Sequence, residues 1–153
     1  MLDIPVRFTL GAGWGEADTP ANAFDIALLQ AGMGNLSMLR VHSILPPGAV
    51  HTEQLDVPEG MLVPVAYATI SSQEPGQKIA AAVAVGIPAD TGCGVIMECS
   101  DYCSKQEIEE RIIKMVEDAF AVRQRPLGEI KLVAIEHTVK HCGSVFAGVA
   151  LWY

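Results

Sequence analysis

The run Ile79-Ala80-Ala81-Ala82-Val83-Ala84-Val85-Gly86-Ile87 is apolar at every position and stops at Pro88 and Asp90. It falls well short of the about 20 residues that cross a bilayer. As a strand it presents nothing polar on either face, because successive side chains point to opposite sides. Such a strand needs one layer above it and another below. This segment therefore directs the chain to a stacked architecture.

The rest of the pattern supplies the layers. Further strands are expected from Arg7 to Leu10, Met61 to Ser71, Val95 to Cys99, Lys131 to His137 and Ser144 to Trp152. Leu36 to Leu45 reads as one buried strand stopped by Pro46 and Pro47, and Glu74-Pro75-Gly76-Gln77 reads as a turn. Thr19 caps a first helix and Pro20 suits its first position. Ala23, Phe24, Ala27, Leu28 and Ala31 form its apolar stripe, and Gly32 and Gly34 end it. Ser104-Lys105-Gln106-Glu107 is a capping box ahead of a longer helix that buries Ile108, Ile112, Met115, Val116, Ala119 and Phe120. Roughly seven strands and two helices result, which two stacked sheets with a helix on each outer face would satisfy. The expected class is α+β in a single domain, 1–153.

Composition narrows the function classes. Half of the residues are hydrophobic and 18% are charged, so a disordered tail is not expected, and burial against sister subunits is a natural use of the apolar excess. The formal net charge is −8, and no Lys/Arg cluster forms a phosphate-binding surface, which argues against nucleic acid. No basic segment followed by an apolar core opens the chain, and no run is long enough for a membrane span, so the expected compartment is the cytoplasm. The four cysteines then read as reduced thiols. Cys99 and Cys103, with Cys93 nearby, resemble half a metal site, but no second pair or His-x3-His partner accompanies them, and no metal is expected.

Several candidates for chemistry have plain explanations. Gly11-x-Gly13-x-Gly15 lacks the spacing of a dinucleotide or phosphate loop and reads as a flexible loop between strand and helix. Asp25 on its own reads as a solvent-facing helix residue. Glu136 and His137 are adjacent in a strand and should point to opposite faces, while His141 belongs to a surface turn. Glu98 is less ordinary. It ends the apolar run Gly94-Val95-Ile96-Met97, and a carboxylate buried in such a run is a candidate general acid.

Ser43 stands where Val41-His42-Ser43-Ile44-Leu45 meets Pro46-Pro47-Gly48. An ordinary strand-end serine is one reading. The other is self-modification: a serine in an unusual, rigidly held backbone attacks the preceding carbonyl, here that of His42, and an N-to-O acyl shift followed by β-elimination cuts the chain. The remaining dehydroalanine hydrolyses to a pyruvoyl group.

Ser43-Ile44-Leu45-Pro46-Pro47 resembles the self-processing site of archaeal-type pyruvoyl-dependent arginine decarboxylases. The resemblance extends through Thr19-Pro20-Ala21-Asn22-Ala23-Phe24-Asp25, Ala31-Gly32-Met33-Gly34-Asn35, Val63-Pro64, Ile96-Met97-Glu98, Cys103-Ser104-Lys105, Glu136-His137-Thr138-Val139 and Ala150-Leu151-Trp152-Tyr153. It implies a four-layer α/β/β/α sandwich of two mainly antiparallel sheets. It also implies cleavage between His42 and Ser43 into chains 1–42 and 43–153, and trimers of cleaved pairs, with a hexamer as the next order, whose active sites lie between protomers.

The resemblance further implies conversion of L-arginine to agmatine and carbon dioxide, for polyamine synthesis. It implies as cofactor a pyruvoyl group made from Ser43, forming a Schiff base without pyridoxal phosphate (PLP) or metal. By the same resemblance Glu98 is the proton donor, Asp25 binds the guanidinium and Leu28 lines the aliphatic part of the pocket. Two positions depart from the family pattern. His42 replaces the usual serine before the modified serine, and Ser37 replaces an asparagine near the site. In one regular strand Ser37 and Ser43 stand about 20 Å apart, so a shared role would need different subunits. Two other readings stay open: a pyruvoyl decarboxylase for another amino acid, and an unprocessed, non-catalytic relative that binds a cationic amine or serves as a partner subunit.

Overall fold

The computed structural model describes residues 2–42 and 44–153. In chain order it runs β1 (Arg7–Glu16), α1 (Pro20–Gln30), β2 (Ser37–Arg40), β3 (Ile44–Leu45), β4 (Val50–His51), β5 (Leu62–Ser72), β6 (Lys78–Pro88), β7 (Gly94–Asp101), α2 (Lys105–Arg123), β8 (Leu127–Thr138) and β9 (Gly143–Trp152). The strands form two sheets, ordered β2-β5-β9-β1-β4 and β3-β7-β6-β8. The β1–β4 and β2–β5 pairs are parallel and the other pairs are antiparallel.

The wholly apolar segment lies in β6, and both of its faces are covered. Ile79, Ala81, Val83 and Val85 enter the core between the sheets with Ala66, Ala68, Val145, Ala147 and Val149. Ala80, Ala82 and Ala84 pack beneath Ile108, Ile112, Val116 and Phe120 of α2. The bulky side chains face the opposite sheet, while the alanines let the helix come close. Gly86 continues the helix-facing row, and a Cβ there would stand 2.5 Å from the Phe120 ring. On the other side, Ala27 and Leu28 of α1 pack on Val63, Val65, Phe146 and Ala150 of the larger sheet. The expected α+β class and α/β/β/α layering are both present.

Both helices begin at their expected caps. The Thr19 hydroxyl accepts from the Asn22 N–H, and the Ser104 hydroxyl accepts from the Glu107 N–H. Each interaction satisfies an N–H that the first helical turn leaves without an intrahelical partner. No helix among the described residues is long and apolar enough to cross a membrane.

Two local expectations are corrected. Gly11, Gly13 and Gly15 are not a loop but continue β1, paired with Gly148, Phe146 and Ser144 of β9. A Cβ at these glycines would meet the carbonyl oxygens of Ala31, Ala27 and Ala23 at 2.2, 2.3 and 2.3 Å. The spacings explain the match. Two strand residues advance about 6.6 Å and four helix residues about 6 Å, so alternate glycines run beside successive turns of α1.

The second correction concerns Leu36 to Leu45, which is not one buried strand. β2 lies at the edge of the larger sheet with Ser37, Leu39 and Arg40 exposed, whereas β3 belongs to the smaller sheet. Arg40 is a reason for the break. An edge position leaves its guanidinium in solvent while it lies 4.5 Å over the Tyr67 ring and donates to the Tyr67 carbonyl.

Candidate active site

The change of sheet between β2 and β3 brings two of the candidate residues together. Val41 extends the pairing of β2 by donating its N–H to the Val65 carbonyl at 3.1 Å, and its side chain packs against the core between the sheets. His42 follows, and Ile44 and Leu45 pair with Val95 and Gly94 of β7. Ser43, the proposed modified residue, lies outside the described residues.

β7 is therefore the neighbour of the strand that follows the crossing, and Glu98 sits on it. Ile96 and Ser100 define its inner face: Ile96 joins the core between the sheets, and the Ser100 hydroxyl donates to the Thr69 carbonyl at 3.1 Å. Alternation puts Glu98 on that same face, while Met97 and Cys99 pack toward α2. Its Oε1 is 3.3 Å from His42 Nδ1. Its Oε2 is shielded from solvent and has no hydrogen-bond partner among the described residues. The Glu98 side chain is 19% exposed and the His42 ring 79% exposed, so the pair joins an inner carboxylate to an outer imidazole.

The remaining candidates are not gathered there. Asp25 is exposed on α1, Leu28 is buried beneath α1, and Ser37 is exposed at the start of β2. α1 covers the face of the larger sheet that points away from the smaller one. One sheet therefore separates Asp25 and Leu28 from Glu98 within the chain. Ser37 alternates onto the same face of β2 as Val41 but lies four residues before it.

A second carboxylate–histidine pair escaped notice in the sequence. Glu16 Oε1 is 2.8 Å from His137 Nε2 and accepts from the Lys140 N–H, while Oε2 accepts from the His141 and Cys142 N–H groups. The indole of Trp14 stacks on His137 at 4.3 Å. Burial works against the Glu16 charge, but these hydrogen bonds outweigh it and lower the pKa to about 2. The pair fastens the end of β1 to the β8–β9 turn. The signal in the sequence is an acidic residue closing the Gly11–Gly15 strand, and it has meaning only when that stretch is a strand. Glu136 and His137 do diverge as expected, Glu136 accepting from the Lys105 N–H instead.

The cysteines are free thiols. Burial raises Cys99 to about 11 and also raises Cys103, so both stay protonated near neutrality.

Known proteins resemble the chain over nearly its whole length. The family model described as pyruvoyl-dependent arginine decarboxylase matches residues 7–152. A protein of that name from Methanocaldococcus jannaschii is 46% identical over 151 residues, covering 98% of this chain and 92% of the relative. Another from Methanococcus maripaludis is 41% identical over 99% of this chain and 93% of its own length. One from Thermococcus kodakarensis is 46% identical over 89% of this chain and 87% of its own length. With matches of this extent, the chain belongs to the pyruvoyl-dependent arginine decarboxylase family.

Proposed function

We propose that this chain cleaves itself between His42 and Ser43 and then converts L-arginine to agmatine and carbon dioxide, supplying polyamine synthesis. The observation that carries this reading is the shielded oxygen of Glu98, without a partner among the described residues, on the strand that pairs with Ile44 and Leu45, just past the sheet crossing, in a member of this family. The single domain 1–153 would then consist of two chains, 1–42 and 43–153.

In the cleavage, the Ser43 hydroxyl adds to the His42 carbonyl carbon, the peptide nitrogen leaves and an ester forms. Elimination across the serine Cα–Cβ bond frees the His42 carboxylate. The dehydroalanine left behind tautomerises, takes up water and loses ammonia, giving a pyruvoyl group. Once formed, that group supplies a ketone that accepts the substrate amine and draws electrons as carbon dioxide leaves.

The residues present fit such a group. Glu98 offers a shielded oxygen with no described partner, as a proton donor toward a reacting carbon requires. Its task is to protonate the carbon that lost carbon dioxide. Asp25 is exposed on α1, available to accept two parallel hydrogen bonds from a guanidinium. Leu28 would line the substrate's methylene chain, and Ser37 would add a hydroxyl at the rim. Because the larger sheet separates Asp25 from Glu98, a complete site would draw on two protomers. A homotrimer of cleaved pairs provides that, alone or doubled into a hexamer.

Intact-mass measurement on the purified protein tests the cleavage. The expected products are chains 1–42 and 43–153, the larger with a blocked N-terminus. A single full-length mass after long incubation would overturn the reading. Ranking amino acids by carbon dioxide release should place arginine first, and a different winner would overturn the substrate assignment.

A further inference from the structure

The exposed imidazole of His42 has no part in the scheme above, yet it is the one described side chain that meets Glu98 through a hydrogen bond. The two oxygens of Glu98 differ. Oε1 faces a group open to water, and Oε2 faces the shielded interior. A carboxyl that gives up its proton inside must recover one before the next turnover. Among the described residues, His42 offers the route outward.

We propose that His42 acts through Glu98 as its proton supply, carrying protons from solvent to the shielded carboxylate between turnovers. The inference rests on the decarboxylase reading and deepens it. Each cycle balances. Glu98 gives its proton to the carbon that lost carbon dioxide and becomes a carboxylate. The His42 imidazolium passes its Nδ1 proton to Oε1, and the neutral ring takes a proton from water. Rotation of the carboxyl about its Cγ–Cδ bond then brings the proton to the inner position.

The surroundings favour this pairing. Arg40 of β2 is engaged with Tyr67 on the opposite face. Cys99 of β7 faces α2. Val83 of β6 stands opposite Glu98, and Ile44 of β3 and Val65 of β5 add no charge. Cleavage would make His42 a chain end and place its new carboxylate, a further negative charge, beside the ring, while the Val41 N–H on Val65 and the β2–β5 pairing hold the residues before it. His42 is thus a positioning and proton-supplying residue, with no contact to substrate required of it.

Three measurements test it. In nitrogen-15 spectra of the full protein, Glu98→Gln should move the His42 ring signals and leave those of His51, His137 and His141 in place. Intact mass should show His42→Gln processed as completely as the unmodified chain. Its turnover per processed chain should fall about tenfold, with KM unchanged, and free imidazole should restore it in a concentration-dependent way.

His42 signals indifferent to Glu98→Gln would overturn the proposal. So would unchanged turnover, or a loss that imidazole does not repair. Failure of both His42→Gln and His42→Ser to process would assign the residue to cleavage instead, and would also overturn it. An unmodified chain that stays full length refutes the decarboxylase reading itself, a separate outcome visible before any variant is made.

Discussion

Glu16 and Glu98 each face a histidine, at 2.8 and 3.3 Å, and differ in everything else they touch. Glu16 is satisfied by three backbone N–H groups and a ring 8% exposed, which marks a structural clamp. Glu98 keeps one oxygen shielded and without a described partner, which a structure tolerates where chemistry uses it. Glu98→Gln should therefore leave self-cleavage intact and lower agmatine formation per processed chain roughly 100-fold or more, read as carbon dioxide release. Normal output would remove Glu98 from the reaction. For Glu16 the sign is opposite to that of a raised group. Its folded pKa of about 2 lies below the ordinary 4.5, so its contribution is fully present above about pH 4.5 and is lost as pH falls toward 2. Urea midpoints measured down that range should fall less steeply for Glu16→Gln, which at neutral pH should itself cost about 1–3 kcal/mol.

Glycine spacing decides how α1 sits on β1. With Ala27 O only 2.3 Å from the Cβ position of Gly13, an added methyl meets backbone and cannot be relieved by a rotamer change. Gly13→Ala should cost about 1–3 kcal/mol, seen as a lower urea midpoint with an unchanged slope. An unaltered midpoint would show that α1 shifts freely. The same contact explains a misreading: three alternate glycines look like a loop until a helix is laid along them. β6 was legible because its two-sided apolarity has one remedy, a layer on each face. Leu36 to Leu45 was not, since hydrophobicity along a strand does not reveal that its two ends belong to different sheets. Arg40 was the available warning, a charge that only an edge accommodates.

At the scale of the molecule, the larger sheet stands between Asp25 and Glu98. If neighbouring protomers complete one another, Asp25→Asn and Glu98→Gln chains should each be nearly inactive alone. Coexpressed and mixed at random, they should recover activity in about a quarter of the sites, because half of the protomers supply each intact partner at every interface. No recovery would show that both residues serve a site within one chain. The assembled mass, measured by light scattering during size exclusion, should be a multiple of three protomers.

The sequence by itself determined the stacked α+β class, both helix caps and the identity of Glu98 and Ser43 as candidates, because periodicity, capping and an acid in an apolar run are local properties. Tertiary structure alone decided that His42 reaches Glu98, 56 positions away, and that Asp25 and Leu28 do not. It also decided that Glu16 holds His137. The reason is physical: distances between residues far apart in sequence depend on which sheet each segment joins, and that follows from how the layers pack together.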